Sequence, residues 1–223
     1  MPSIADRYRQ ICQQLPSEVK AIAVTKHVAV EVMREAYQAG MRDFAESRIQ
    51  EALPKQEQLK DLDDICWHFI GHIQSNKAKK VIEKFEWVHS CDSLKLAQRL
   101  NRLAEETRRT PKICLQVKIL RDPDKYGWTR SQLLADLPEL DRLSHLKIQG
   151  LMTILPMGLS DTEKLSAFQA TRELRNEIEQ NKTVSLALSE LSMGMSGDYP
   201  LAIQAGATMI RPGRILFGDR PLQ

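Results

Sequence analysis

Lys26 ends the run Ala-Ile-Ala-Val-Thr-Lys-His at 21–27, a short apolar stretch that closes on a single amine. An amine shielded from water loses part of its basicity and can attack a carbonyl to form a Schiff base. A solvated lysine capping a strand edge is the commoner arrangement for any one lysine. Far downstream, Leu-Ser-Met-Gly-Met-Ser-Gly-Asp at 191–198 offers glycines for close backbone approach and the hydroxyls of Ser192 and Ser196, and Arg-Pro-Gly-Arg at 211–214 sets Gly213 and Arg214 at a helix start. Backbone N–H groups at such a start point toward an anion. An imine-forming amine and a grip suited to a phosphate monoester together ask for an aldehyde that carries a phosphate. Pyridoxal phosphate meets both demands, as does a sugar phosphate handled by an aldolase.

These residues share one rim if the chain folds as repeated strand–helix units. Strand signals lie near 20–25, 43–45, 67–70, 87–89, 112–119, 148–153, 186–191 and 208–210. A helical pattern follows each, near 29–39, 47–60, 75–85, 93–107, 130–138, 161–180, 199–205 and 214–217. This alternation predicts an α/β protein of parallel βαβ units. Closing eight such strands into a single (β/α)8 TIM barrel removes the open edges and takes about 200 to 250 residues. An open doubly wound sheet satisfies the same periodicity. An extra N-terminal helix at 3–14, with Ser3 as N-cap and Asp6 three positions on, precedes the first strand. No linker or low-complexity tract divides the chain, so residues 1–223 read as one domain.

In a parallel barrel the site gathers at the C-terminal ends of the strands. Lys26, Glu46-Ser47, Gly71-His72, Ser90, Met152-Thr153, the tract 192–196 and the tract 211–214 occupy that rim in this reading. The tract 192–196 is expected just beyond the seventh strand, in a loop.

Composition narrows the function classes. The 223 residues carry 32 basic and 29 acidic side chains for a formal net charge of +3, dispersed without a basic tract, so nothing asks for nucleic acid. Cys12, Cys66, Cys91 and Cys114 are too far apart for a CxxC pair and have apolar neighbours, which suits buried thiols in a reducing compartment. The first residues lack the apolar core of a signal peptide and no stretch approaches membrane-spanning length, so a cytoplasmic protein with no membrane partner is expected.

Five motifs carry a family resemblance: Ala-Val-Thr-Lys at 23–26, Trp-His-Phe-Ile-Gly-His-Ile-Gln-Ser-Asn-Lys at 67–77, Gly-Leu-Met at 150–152, the tract 191–198, and Ala-Ile-Gln-Ala-Gly-Ala-Thr-Met-Ile-Arg-Pro-Gly-Arg-Ile-Leu-Phe-Gly at 202–218. Together they resemble the pyridoxal phosphate homeostasis protein family, the YggS/PROSC group with its cyanobacterial PipY-like members. The resemblance implies a barrel like the alanine racemase N-terminal domain, with pyridoxal phosphate held as an internal aldimine on Lys26. It further implies that Ser196 and the backbone N–H groups of Gly213 and Arg214 hold the phosphate, and that Arg211 faces the pyridine nitrogen. Asn76 and Met152 match motif positions and would contact the ring or line its pocket. Ser47 departs from the asparagine many members carry there, and no site role is carried to it.

An arginine at the ring nitrogen can only donate, which leaves the pyridine largely unprotonated and a weaker electron sink than one paired with a carboxylate. The barrel takes up the whole chain, leaving no second domain to bring an opposing acid/base. The expectation is therefore a monomeric protein that buffers pyridoxal phosphate, or delivers it to pyridoxal phosphate-dependent apoenzymes, and so affects amino-acid and keto-acid balance without strong turnover. A pyridoxal phosphate-dependent amino-acid racemase of low activity is the alternative, and a Schiff-base aldolase a third reading. His68 and His72 have the i, i+4 spacing of a helical metal pair, but they straddle a strand and its exit, so no metal is expected.

Overall fold

The computed structural model describes residues 2–122 and 125–218. The chain opens with α1 (Ile4–Gln14), closed at its N-terminus by the expected capping box: Ser3 Oγ accepts from the Asp6 N–H, and the Asp6 carboxylate accepts from the Ser3 N–H. Strands and helices then alternate. β1 (Lys20–Ala21) and β2 (Ala23–Val24) lead to α2 (Val30–Gln38), β3 (Asp43–Glu46), α3 (Ile49–Gln58), β4 (Cys66–Phe69), α4 (Ala78–Lys84), β5 (Trp87–Cys91) and α5 (Leu94–Thr107). There follow β6 (Lys112–Gln116), α6 (Arg130–Asp141), β7 (Lys147–Met152), α7 (Asp161–Gln180), β8 (Glu190–Met195), α8 (Tyr199–Gln204), β9 (Met209–Arg211) and α9 (Arg214–Phe217).

All pairings are parallel, in the order β1-β9-β8-β7-β6-β5-β4-β3-β2. β1 and β2 are two halves of one strand: β1 pairs with β9 and β2 with β3. The N–H groups of Ile22 and Val24 carry the ladder onto the carbonyls of Ile210 and Pro212, each at 2.9 Å. This divided strand joins both edges, so the sheet is a closed (β/α)8 barrel and the open doubly wound alternative falls.

Two apolar clusters follow from the alternation of strand side chains. Outward residues such as Phe44, Phe69, Val88, Ile113 and Leu191 meet the buried stripes of the helices, for example Leu96, Leu100 and Leu103 of α5. Inward residues make a smaller plug of Ile22, Ala45, Trp87, Cys114, Met152 and Met209. Gly150 lets β7 lie tight on β8, because a Cβ there would stand 2.1 Å from the Glu190 carbonyl oxygen.

Several boundaries differ from the sequence expectation. The seventh strand, expected at 186–191, runs Glu190–Met195, since its ladder starts where Glu190 meets Gly150; Leu186 and Leu188 pack on the outer core ahead of it. Ser192, Met193 and Gly194 therefore lie in the strand, and Gly194 takes φ +92° where the register shifts before the turn at 196–198. The expected strand at 112–119 ends at Gln116, with Val117 bridging Trp128. The strand expected at 87–89 continues to Cys91 and takes in Ser90. α6 passes Pro138 and runs to Asp141, because Leu137 and Leu140 bury the turn. No helix of the described residues is long and apolar enough to cross a membrane.

Candidate cofactor site at the barrel mouth

Lys26 lies just past β2, half-buried, in a turn that the Val28 N–H closes on the Thr25 carbonyl at 2.9 Å. His27 adopts φ 63° within that turn, a conformation that branched side chains avoid. Beneath the turn, Glu46 at the end of β3 is fully buried. Its Oε1 accepts from Thr25 Oγ1 and from Lys55 Nζ, each at 2.7 Å, while Lys55 Nζ also donates to the Thr25 carbonyl at 2.7 Å. The backbone that carries Lys26 is thus pinned on a buried ion pair. Rim position alone had drawn attention to Glu46, and nothing in the spacing singled out Lys55, which α3 brings back across the strand end.

The two rim loops expected to grip an anion meet at the start of α9, where N–H groups form a cradle around Ser196 Oγ. Ser196 Oγ accepts from the Gly213 N–H at 3.0 Å and from the Ile215 N–H at 3.3 Å, at the start of α9. The first N–H groups of a helix have no partner within it, so an oxygen acceptor is the natural neighbour here. Ile215 was missed by motif matching, because only folding turns its N–H toward Ser196. A Cβ added to Gly213 would lie 3.5 Å from Val24 Cβ, so the cradle abuts the strand that leads to Lys26. Arg214 itself is exposed, with its N–H in the first turn of α9.

Arg211 is the last residue of β9 and is buried, at 3% exposure. Its Nη1 donates to Ser192 Oγ at 2.7 Å and its Nη2 to the Thr153 carbonyl at 2.8 Å. Burial brings its pKa down to about 10, with Cys114 and Asp198 acting against that, so the guanidinium stays charged at neutral pH. Met152 ends β7, fully buried in the interior plug and in register with Ser192. Asn76 is exposed in the loop after β4, on the mouth side. His72, in the same loop, pairs with Asp92 at 3.0 Å and stacks on Tyr126 with ring centroids 3.7 Å apart.

His68 points the other way, into the barrel, so the two histidines share no site. At the floor, Asp43, Cys66 and His68 bring one ligand-type atom each within 4.8 Å. Lys20 Nζ lies 3.3 Å from Asp43 there, and burial pushes the Cys66 thiol up to about 12. Burial lowers the pKa of His68, against the pull of Asp43, and lowers that of His89 further, with His68 and Arg211 adding to it. Both imidazoles are neutral when folded, whereas unfolding frees them to protonate near pH 6.5. The unfolded state therefore binds more protons below about pH 6.5, and stability falls with acid by about 1.4 kcal/mol per pH unit for each histidine until its folded pKa is passed. Urea midpoints measured at about pH 7.5 and 5.5 should drop accordingly, and equal midpoints would contradict neutral burial.

Comparisons with known proteins agree with this fold. The family model for the alanine racemase N-terminal domain matches residues 1–221. A pyridoxal phosphate homeostasis protein of Synechocystis sp. is 56% identical over 213 residues, covering 96% of this chain and 97% of its own. The chain belongs to the pyridoxal phosphate homeostasis protein family. A member from Pseudomonas aeruginosa is 40% identical over 220 residues, covering 97% of this chain and 93% of its own. Among solved structures, PipY of Synechococcus elongatus with PLP bound superposes with a TM-score of 0.92 at 48% identity, over 97% of this chain and all of that one. Clostridium difficile alanine racemase gives a TM-score of 0.80 at 15% identity, a likeness of fold in which 99% of this chain matches 58% of that longer one.

Proposed function

We propose that this chain holds pyridoxal phosphate at the barrel mouth and serves intracellular pyridoxal phosphate homeostasis, without strong catalytic turnover. The observation that carries the reading is the convergence of the Gly213 and Ile215 N–H groups on Ser196 Oγ, beside the strand that leads to Lys26. A hydroxyl and helix-start N–H groups are the donor set a phosphate monoester needs, so the residues present fit the group. Ser196 and the N–H groups of Gly213 and Arg214 would take the phosphate, and the Lys26 amine would hold the aldehyde carbon. Arg211 would donate to the ring nitrogen, with Met152 beneath the ring and Asn76 at its rim. When bound, the cofactor supplies an aldehyde that reversibly captures an amine and a ring that withdraws electrons. Arg211 keeps that withdrawal weak, since a buried guanidinium donates and does not surrender its proton.

The PLP-bound state of PipY, a close relative in fold and sequence, supports the same reading. We place the protein in the cytoplasm as a monomer, a setting that suits its four free thiols. Tyr126, Met157 and Met195, large apolar side chains exposed among the described residues, lie at or beyond strand ends on the mouth side, where a recipient apoenzyme would meet the cofactor. Purified protein mixed with pyridoxal phosphate, reduced with borohydride and digested should yield one modified peptide, the one containing Lys26. A protein that stays colourless through this treatment would end the reading, and measurable racemisation of any amino acid would favour the racemase in its place.

A further inference from the structure

The barrel interior holds an unbroken line of polar contacts from its floor to its mouth. Asp43 Oδ1 meets His68 Nε2 at 2.9 Å, His68 Nδ1 meets His89 Nε2 at 2.8 Å, and His89 Nδ1 meets Ser192 Oγ at 2.8 Å. Ser192 Oγ then accepts from Arg211 Nη1 at 2.7 Å. His68, His89 and Ser192 are each 0% exposed. The charged groups around the two rings are Asp43, Lys20 and Glu86 toward the floor and Arg211 toward the mouth.

The two ends of this line decide its direction. Arg211 can only donate, and the ionised Asp43 carboxylate can only accept. Burial would raise the Asp43 pKa, but the His68 N–H and Lys20 more than offset that and hold it below the usual carboxylate value. With one proton at each link, Arg211 donates to Ser192, Ser192 to His89 Nδ1, His89 Nε2–H to His68 Nδ1, and His68 Nε2–H to Asp43. Turning either imidazole round sets two lone pairs, or two N–H groups, against each other. Both histidines are thus assigned the neutral Nε2–H tautomer.

Parallel barrels ordinarily fill this space with layers of branched apolar side chains. Four buried polar groups in their place cost desolvation that a complete network offsets only when every member is satisfied. What the line supplies beyond packing is a fixed direction for the guanidinium at the mouth, with Thr153 as its second anchor.

We propose that Asp43, His68, His89 and Ser192 are positioning residues that aim Arg211 at the ring of the bound cofactor, coupling the barrel floor to the cofactor site. This rests on the reading above, in which Arg211 meets the ring nitrogen.

The test pairs nitrogen-resolved histidine NMR of the full chain, free and loaded with pyridoxal phosphate, with absorbance and cofactor dissociation in His89→Leu, His89→Gln and Ser192→Ala. In the free protein both imidazoles should read as neutral Nε2–H tautomers at neutral pH. His89→Leu should shift the absorbance band of the bound cofactor and speed its loss about tenfold, the order expected when one charge-assisted contact is misaligned. His89→Gln, which can accept from Ser192 and donate to His68, should restore most of both. Ser192→Ala, a small change in volume, should act like His89→Leu and decides the matter if the latter fails to fold. An Nδ1–H tautomer at either histidine would overturn the chain. Wild-type protein that binds the cofactor, with variants whose spectrum and retention stay unchanged, would overturn its role alone. Wild-type protein with both Nε2–H tautomers that takes up no pyridoxal phosphate would overturn the cofactor reading and this role with it.

Discussion

Lys26→Ala is expected to abolish covalent retention of pyridoxal phosphate while leaving the fold intact. The amine stands on a half-buried turn whose course is set by backbone contacts, the Val28 N–H on the Thr25 carbonyl and the Val24 N–H on the Pro212 carbonyl, each at 2.9 Å. None of these backbone contacts needs the lysine side chain, so the turn should keep its course in the variant. Ser196 and the Gly213 N–H, proposed above to hold the phosphate, remain in place, and the variant should still bind the cofactor weakly. Loss of the covalent hold should reduce affinity by about 100-fold, close to 2.8 kcal/mol. Spectral titration and borohydride fixation check both parts. Retention of a reducible adduct at wild-type strength would mean that another lysine carries the aldehyde. Lys125→Ala, in the loop after β6, serves as the control and should leave the titration unchanged.

Lys55→Met should be the most destabilising of the single changes near the site. Glu46 is fully buried and Lys55 is 12% exposed at the side chain, so removing the amine strands a carboxylate away from water. Among the described residues, Glu46 Oε2 already lacks a hydrogen-bond partner, and Thr25 Oγ1 would be left as the sole donor to Oε1. Breaking one side of a buried pair costs about 3 to 5 kcal/mol, while replacing both partners by apolar groups recovers much of it. Urea unfolding of Lys55→Met, Glu46→Leu and the double variant should therefore give strongly non-additive losses. Additive losses would show that the pair is not coupled. Thr25 precedes Lys26, so Lys55→Met should also loosen cofactor retention in whatever fraction remains folded.

Much of the fold was legible because its determinants are local. The capping box at Ser3 and Asp6, the stripe Leu96, Leu100 and Leu103, and the long helix Asp161–Gln180 all came from periodicity and turn chemistry within one segment. The seventh strand was misplaced because Leu186 and Leu188 carry an apolar signal no different from that of a strand, and only pairing with Gly150 decides where the ladder begins. Barrel closure was likewise beyond periodicity, since it depends on one strand, divided at Ile22, meeting two partners at opposite edges.

The site divides along the same line. By itself the sequence determined the chemistry on offer: an amine at Lys26, a hydroxyl at Ser196, helix-start N–H groups at Gly213 and Arg214, and a donor-only cation at Arg211, in an order that matches the family. Side-chain chemistry and chain order are properties of residues and need no coordinates. Only the tertiary structure decided that Ser192 lies inside the barrel, that Lys55 returns to Glu46, and that His68 and His89 join Asp43 to Arg211. Those contacts link residues 9 to 103 positions apart, and strand spacing alone states which way a side chain faces, not which partner waits across the barrel.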